Sequence, residues 1–208
     1  APHRRIDVRD LKCDLLLCSP YKFFGPHLGL AWIRRAFAET LQAERVRPAS
    51  LFPVGHRFET GTLSHEALAG TEAAIEYLAS LGEGIDLTGR LDSAFTRIRD
   101  HEMALADRFI QGVARIPGIR LLGTPDTQRR VCTFGLMIDG VEPAQAAREL
   151  NDIAIYSWNG NFYAQGVMES LGIPVEEGIL RLGFVHYASE SEVDRVVEAL
   201  DRIAGAQQ

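Results

Sequence analysis

Apolar residues recur along this chain at two spacings, and the elements they predict fall into an early and a late group. Asp14-Leu15-Leu16-Leu17-Cys18 contains a short continuous apolar run, the pattern of a strand covered on both faces in a parallel sheet. Gly25-Pro26 then turns the chain, and Leu28-Gly29-Leu30-Ala31-Trp32-Ile33 reads as a second buried strand closed by Arg34-Arg35. The connection is too short for a crossover helix, so these strands are expected to be antiparallel neighbours. From Ala36 to Phe58 the pattern is irregular, broken by Pro48 and Pro53, and 55–62 reads as a polar loop delivering into a helix. Ser64 is the expected cap of that helix, Leu68, Ile75 and Leu78 its apolar stripe, and Gly82 its end.

Gly82-Glu83-Gly84 is the expected boundary between a domain over 1–84 and another over 85–208. Beyond it the spacing predicts a long helix from about Asp92 to Arg115, with Phe95, Ile98, Leu105, Phe109 and Val113 on one side and Pro117-Gly118 as its stop. Strands are expected at Ile119 to Leu122, Val131 to Ile138, Ile153 to Tyr156 and Ile179 to Tyr187. A helix begins at Pro143 and ends near Asn151, and a short one follows Gly160-Asn161 and ends at Gly172. Ser189-Glu190-Ser191-Glu192 is a capping box for a last helix bearing Val193, Val196, Val197, Leu200 and Ile203. This half reads as a compact α+β domain, with no internal repeat.

Composition narrows the class. With 208 residues and 46% hydrophobic content, the chain can bury one sizeable core or two modest ones. Its apolar runs are far shorter than a membrane span requires, so a soluble, cytoplasmic protein without a membrane partner is expected. The net charge of −6 and the lack of basic runs interleaved with aromatics argue against nucleic acid. Residues 1–50 are the exception at a net +4, which suits either an anionic ligand or a solvated surface. Cys13, Cys18 and Cys132 fit neither a disulfide framework nor a zinc site, and no metal is implied.

Three places carry candidate chemistry. Lys22 is one of two lysines against twenty arginines, and guanidinium does not replace an amine in Schiff-base chemistry. It follows the first strand, at the sheet edge where ligands bind in α/β proteins. Ser19 and Tyr21 add hydroxyls, a set suited to a phosphorylated aldehyde. Position alone leaves an ordinary surface lysine as the commoner case, and Lys12 has that character. Gly61-Thr62 opens a helix whose dipole favours an anion, or is a plain helix start. Arg181, within Ile179-Leu180-Arg181-Leu182-Gly183-Phe184-Val185, is either part of a structural ion pair or a clamp for a substrate carboxylate.

At these residues a family resemblance emerges. Pro2-His3, Asp7-Val8, Cys13-Asp14 and Ser19-x-x-Lys22-x-x-Gly25-Pro26 resemble the Schiff-base segment of class V aminotransferases, pyridoxal-phosphate enzymes that include the cysteine desulfurases. Arg57-Phe58-Glu59-Thr60-Gly61-Thr62 is similar to a later element of that family, and Leu180-Arg181-Leu182-Gly183 through Val193-Asp194-Arg195 to its final strand and helix. The resemblance implies an α/β protein of the pyridoxal-phosphate-dependent transferase fold type I, comprising the end of the large cofactor domain and a small α+β domain. It implies pyridoxal 5′-phosphate bound as an internal aldimine to Lys22, which would also move the α-proton of an amino-acid substrate. Ser19 and Tyr21 would contact the phosphate, Gly61 and Thr62 would approach the cofactor of a second subunit in a homodimer, and Arg181 would hold the substrate carboxylate.

The resemblance also has gaps. Desulfurases carry a mobile cysteine before the last strand, and here Tyr156-Ser157-Trp158-Asn159-Gly160-Asn161-Phe162-Tyr163-Ala164 has none. Cys132 lies upstream, in an expected buried strand. The family's aspartate for the pyridine nitrogen, its ring-stacking residue and its first phosphate loop precede Pro-His, ahead of Ala1. The expectation is therefore the C-terminal half of a desulfurase-like lyase or transferase, inactive alone and with part of its cofactor pocket missing. The alternative is a non-catalytic dimerisation or interaction module that keeps the fold.

Overall fold

The computed structural model describes residues 2–47 and 50–206; Ala1 and Pro48, the latter one of two expected breaks, lie outside the described residues. Residue contacts divide the chain into two compact units, 1–97 and 98–208. The division falls inside a long helix rather than at Gly82-Glu83-Gly84.

In the first unit, Asp7 opens the short helix α1 (Val8–Leu11), its carboxylate accepting from the Arg9 amide at 2.8 Å. Strands β1 (Leu15–Cys18) and β2 (Leu30–Ile33) pair antiparallel, Leu15 opposite Ile33 and Cys18 opposite Leu30, as the short connection requires. The expected two-sided cover is absent: Leu15 is 44% exposed and Leu17 70%. Among the described residues β1 has β2 as its one strand neighbour, so the apolar run meets no second sheet partner.

A 3-10 turn over Pro20–Phe23 joins the strands. Pro20 is buried, the Gly25 amide donates to its carbonyl at 2.9 Å, and a Cβ on Gly25 would lie 2.8 Å from that of Pro20. Only glycine admits so close a return.

Helix α2 (Arg35–Ala38) then breaks the segment expected to be irregular. In α3 (His65–Ser80), Ser64 occupies the capping position without bonding a helix amide. The Glu66 carboxyl is held below its usual range, first by its own backbone amide and then by the Ser64 hydroxyl. The buried stripe of α3 is Ala67, Thr71, Ala74 and Leu78, while Leu68 stays exposed.

Helix α4 (Leu87–Val113) starts five residues before the expected Asp92. The Asp86 carboxylate accepts from the Gly89 amide at 2.7 Å, a cap that offsets the poor helix propensity of Gly89. The second unit continues with β3 (Ile119–Leu122), β4 (Thr133–Ile138), α5 (Pro143–Asp152), β5 (Trp158–Gly160), α6 (Gln165–Ser170), β6 (Ile179–Gly183) and α7 (Glu190–Gly205). The four strands form one antiparallel sheet in the order β3-β4-β6-β5. The strand expected at Ile153 to Tyr156 is not there. Ile153 closes α5 and Ala154 has φ 57°, which ends any extended run, and pairing starts at Trp158. Strand β6 stops at Gly183, short of Tyr187. The capping box at Ser189 and Glu192 forms as its spacing predicts.

Alternation along β4 turns Phe134, Leu136 and Ile138 to one face, where Phe109, Leu150, Leu180, Leu182, Val193 and Leu200 join them in the main core. The Phe109 ring lies 4.5 Å from Phe134 and 5.4 Å from Phe184, centroid to centroid. The opposite face carries a smaller cluster of Met168, Ile173 and Ile179, with Phe162, Leu122, Met137 and Val175 packed against it. Phe109 is fully buried, so Phe109→Ala is expected to destabilise the second unit by about 3–5 kcal/mol. Urea unfolding followed by Trp158 fluorescence in a Trp32→Phe background reads that unit alone.

Candidate functional site

Lys22 sits in the 3-10 turn at the carboxyl end of β1, its side chain exposed. The buried Pro20 and the close return of Gly25 fix the turn, so the amine projects from an anchored backbone. Lys22 and Ser19 line one open depression of about 510 Å³ with Ile6, Leu17, Cys18 and Leu30. Ser19 heads the turn, its hydroxyl makes no capping bond, and its carbonyl accepts from the Lys22 amide at 3.0 Å. Tyr21 does not line the depression; its ring stacks on His27 at 4.7 Å, and the Lys22 Nζ lies 5.6 Å from that ring's centroid. Lys12, at φ 51° after α1, is exposed as expected of a surface lysine.

Gly61 and Thr62 are exposed and precede the cap of α3, so they lead into the helix rather than open it. Gly61 lines a second, shallower depression of about 270 Å³ with Ser50, His56, Glu59 and Thr60. These residues are distinct from those lining the Lys22 depression. Arg57 is structural: its Nη1 donates to the Ala38 carbonyl at 3.1 Å, tying the loop to the end of α2.

Arg181 is central in β6, between Leu180 and Leu182, and the sequence pattern placed it in an apolar strand where a charge is costly. The pleat removes that cost. Leu180 and Leu182 are buried and Arg181 is exposed on the other face, because side chains alternate along a strand. Its ladder partners are Gly135 on β4 and Trp158 on β5. Among the described residues no carboxylate pairs with it, in contrast to Arg108, which bonds Asp194 at 2.6 and 2.7 Å and Glu190 at 3.0 Å. The Asp194 pairing holds the Arg108 guanidinium above its usual range. The Arg181 guanidinium instead lies over the Phe162 ring, 4.2 Å from its centroid. Sequence reasoning passed over Phe162; the available signal was Gly160-Asn161, a turn-forming pair directly before it.

The first unit thus presents an amine and a hydroxyl on one depression, and the second presents a cation that pairs with no acid among the described residues. Such a set suits a phosphorylated aldehyde at the first place and a carboxylate at the second. The model of the Aminotransferase class-V family matches residues 1–196. The fold is shared with an apo cysteine desulfurase from Thermococcus onnurineus, which superposes with a TM-score of 0.83 at 24% identity over 99% of this chain and 50% of that one. It is also shared with a lysine-to-alanine mutant of C-DES bearing glycine covalently linked to its PLP cofactor, with a TM-score of 0.73 at 18% identity over 97% and 49%. The architecture is the pyridoxal-phosphate-dependent fold type I. The chain belongs to the class V aminotransferase family. A probable cysteine desulfurase of Streptomyces coelicolor is 26% identical over 214 residues, 98% of this chain and 48% of the relative. The chain spans about half the length of the curated relatives it matches.

Pyridoxal 5′-phosphate is the cofactor expected in this family. The donors around Lys22 fit its aldehyde and phosphate, while no carboxylate lines that depression among the described residues. Nor do the described residues include a group of three or more His, Cys, Asp or Glu able to hold a metal ion, or a helix long and apolar enough to cross a membrane.

The thiols fall into two kinds. Cys13 and Cys18 are partly exposed, whereas Cys132 is fully buried. Burial, reinforced by the charge of Glu102, pushes the Cys132 thiol up to about 12, so it does not supply a thiolate nucleophile near neutral pH. Iodoacetamide at neutral pH is expected to label Cys13 and Cys18 in the native chain and to spare Cys132 until the chain unfolds, as read by peptide mass. The neutral buried thiol contributes its full stabilisation below the ordinary value of 9.0, and that contribution is lost as pH rises toward 12, because only the unfolded chain ionises over that interval.

Proposed function

We propose that this chain is the lysine-bearing, C-terminal portion of a pyridoxal-phosphate enzyme that acts on an amino acid by lyase or transferase chemistry. The observation that carries the reading is the presence of Lys22 and Ser19 on one depression at the end of β1, on a turn fixed by Pro20 and Gly25. Bound there, the cofactor draws electron density from the substrate's Cα and acidifies its proton. Lys22 would hold the cofactor through Nζ, and its amine is the group that would move that proton. Ser19 and Tyr21 bind the phosphate, and Arg181 orients the substrate through its carboxylate. Gly61 and Thr62 serve the cofactor of the second subunit of a homodimer, which suits their position apart from Lys22.

Water reaches Lys22 in this chain. In the proposal, further polypeptide covers the depression, supplies the carboxylate for the pyridine nitrogen and excludes water. The half-length match to relatives supports that arrangement, and the chain by itself is expected to be inactive. Persulfide transfer is not assigned, because 156–164 has no cysteine and Cys132 is sealed. Three free thiols suit a reducing compartment such as the cytoplasm. The exposure of Lys22, Thr62 and Arg181 also favours a second reading, a dimerisation or interaction module that keeps the fold without catalysis.

Borohydride reduction of the purified chain with pyridoxal phosphate, followed by peptide mapping, separates these readings. A stoichiometric adduct at Lys22, little at Lys12, and loss of the adduct in Lys22→Arg are expected of the cofactor-binding half. Adducts spread over both lysines and the amino terminus would overturn it in favour of the non-catalytic module. In parallel, a preparation verified as residues 1–208 alone is expected to show no amino-acid turnover; measurable turnover contradicts the need for a complementing half.

A further inference from the structure

We propose that Phe162 is a positioning residue for Arg181, holding the guanidinium plane so that its uncovered edge receives the substrate carboxylate. The inference rests on the reading of Arg181 as the carboxylate ligand and deepens it. On the face of β6 that carries Arg181, the β5 flank holds Trp158, itself 68% exposed, and the β4 flank is open. Gly135, its partner on one side, has no side chain, and a Cβ there would come within 2.8 Å of Ile179 Cδ1. With no paired acid among the described residues, the long side chain would otherwise sample many rotamers, and a ligand would have to order it.

The loop after β5 is built to place a ring under the guanidinium. Asn161 Oδ1 accepts from the Tyr163 amide at 3.0 Å, and Asn161 Nδ2 donates to the Val175 carbonyl at 3.1 Å. Phe162 and Tyr163 have φ of 54° and 60°, a left-handed conformation that non-glycine residues rarely adopt and that surrounding bonds must hold. The outcome is that Phe162 packs against the cluster of Met168, Ile173 and Ile179 and presents a ring 4.2 Å from the Arg181 guanidinium carbon. A ring attracts the cation without neutralising it, whereas an acid in that place would compete with substrate. The N–H donors of a guanidinium lie in its plane, so a stacked face leaves the donor edge available for a bidentate carboxylate.

The test uses the full chain. Phe162→Met keeps apolar volume beside Met168 and Ile179 but removes the ring face, and Phe162→Tyr keeps the face. The Arg181 Nε–Hε resonance is expected to be displaced by the Phe162 ring current in the wild type and F162Y, and to return toward the random-coil position in F162M. Titration with sodium acetate at constant ionic strength is expected to show a Kd about 2- to 10-fold weaker in F162M and little changed in F162Y. An undisplaced wild-type resonance overturns the stack without recourse to any variant. Wild-type affinity in F162M, with binding lost in Arg181→Gln, overturns the role of Phe162 while leaving that of Arg181 standing. Equal binding by wild type and R181Q removes the carboxylate role of Arg181, and that of Phe162 with it.

Discussion

The register of β6 against β4 governs what the second unit can present. Leu182 lies opposite Phe134 and Leu180 opposite Leu136, and all four are buried in the core shared with α4, α5 and α7. Burying one such side chain stabilises the fold by about 1.5–3 kcal/mol, and a slip of one residue would expose both leucines and bury Arg181. A strand register held by hydrophobic burial therefore decides which way the Arg181 cation points. The charge itself costs little, because the pleat sends it to the opposite face.

The first unit depends on a different device. Lys22 is not held by a core; it stands on a turn whose two ends are locked by a buried proline and a glycine that admits no side chain. The backbone under the amine is fixed while its surroundings stay open. The ribbon of β1 and β2 leaves Leu15 and Leu17 exposed, so the apolar run has more burial capacity than the described residues use. Placement of the Lys22 amine and its enclosure are separate problems, and the described residues solve the first.

Electrostatics divides the arginines in the same way. Arg108 is spent on Asp194 and Glu190, joining α4 to the start of α7. Arg130 donates to the Thr124 and Thr133 carbonyls and lies 4.4 Å from the Phe134 ring centroid; partial burial lowers its basicity. Arg181 alone of these three has neither carboxylate nor carbonyl partners among the described residues. A cation kept out of internal pairing remains available to an external anion.

Much of this was legible in the chain. Short connections made β1 and β2 antiparallel, the spacing of Ser189 and Glu192 specified a capping box, and the ordered motifs around Lys22, Thr62 and Arg181 marked the family. Local pattern misplaced the strand at Ile153 to Tyr156, because the left-handed turn at Ala154 depends on how α5 ends, and it started α4 late because Gly89 obscured the Asp86 cap. It also treated Arg181 as a charge inside an apolar strand. Sequence by itself determined residue chemistry, periodicity and the family, since these are carried by neighbouring positions. Only the tertiary structure decided that Arg181 points away from the core, that Phe162 meets it and that Cys132 is sealed, since each depends on residues brought together from distant parts of the chain by burial.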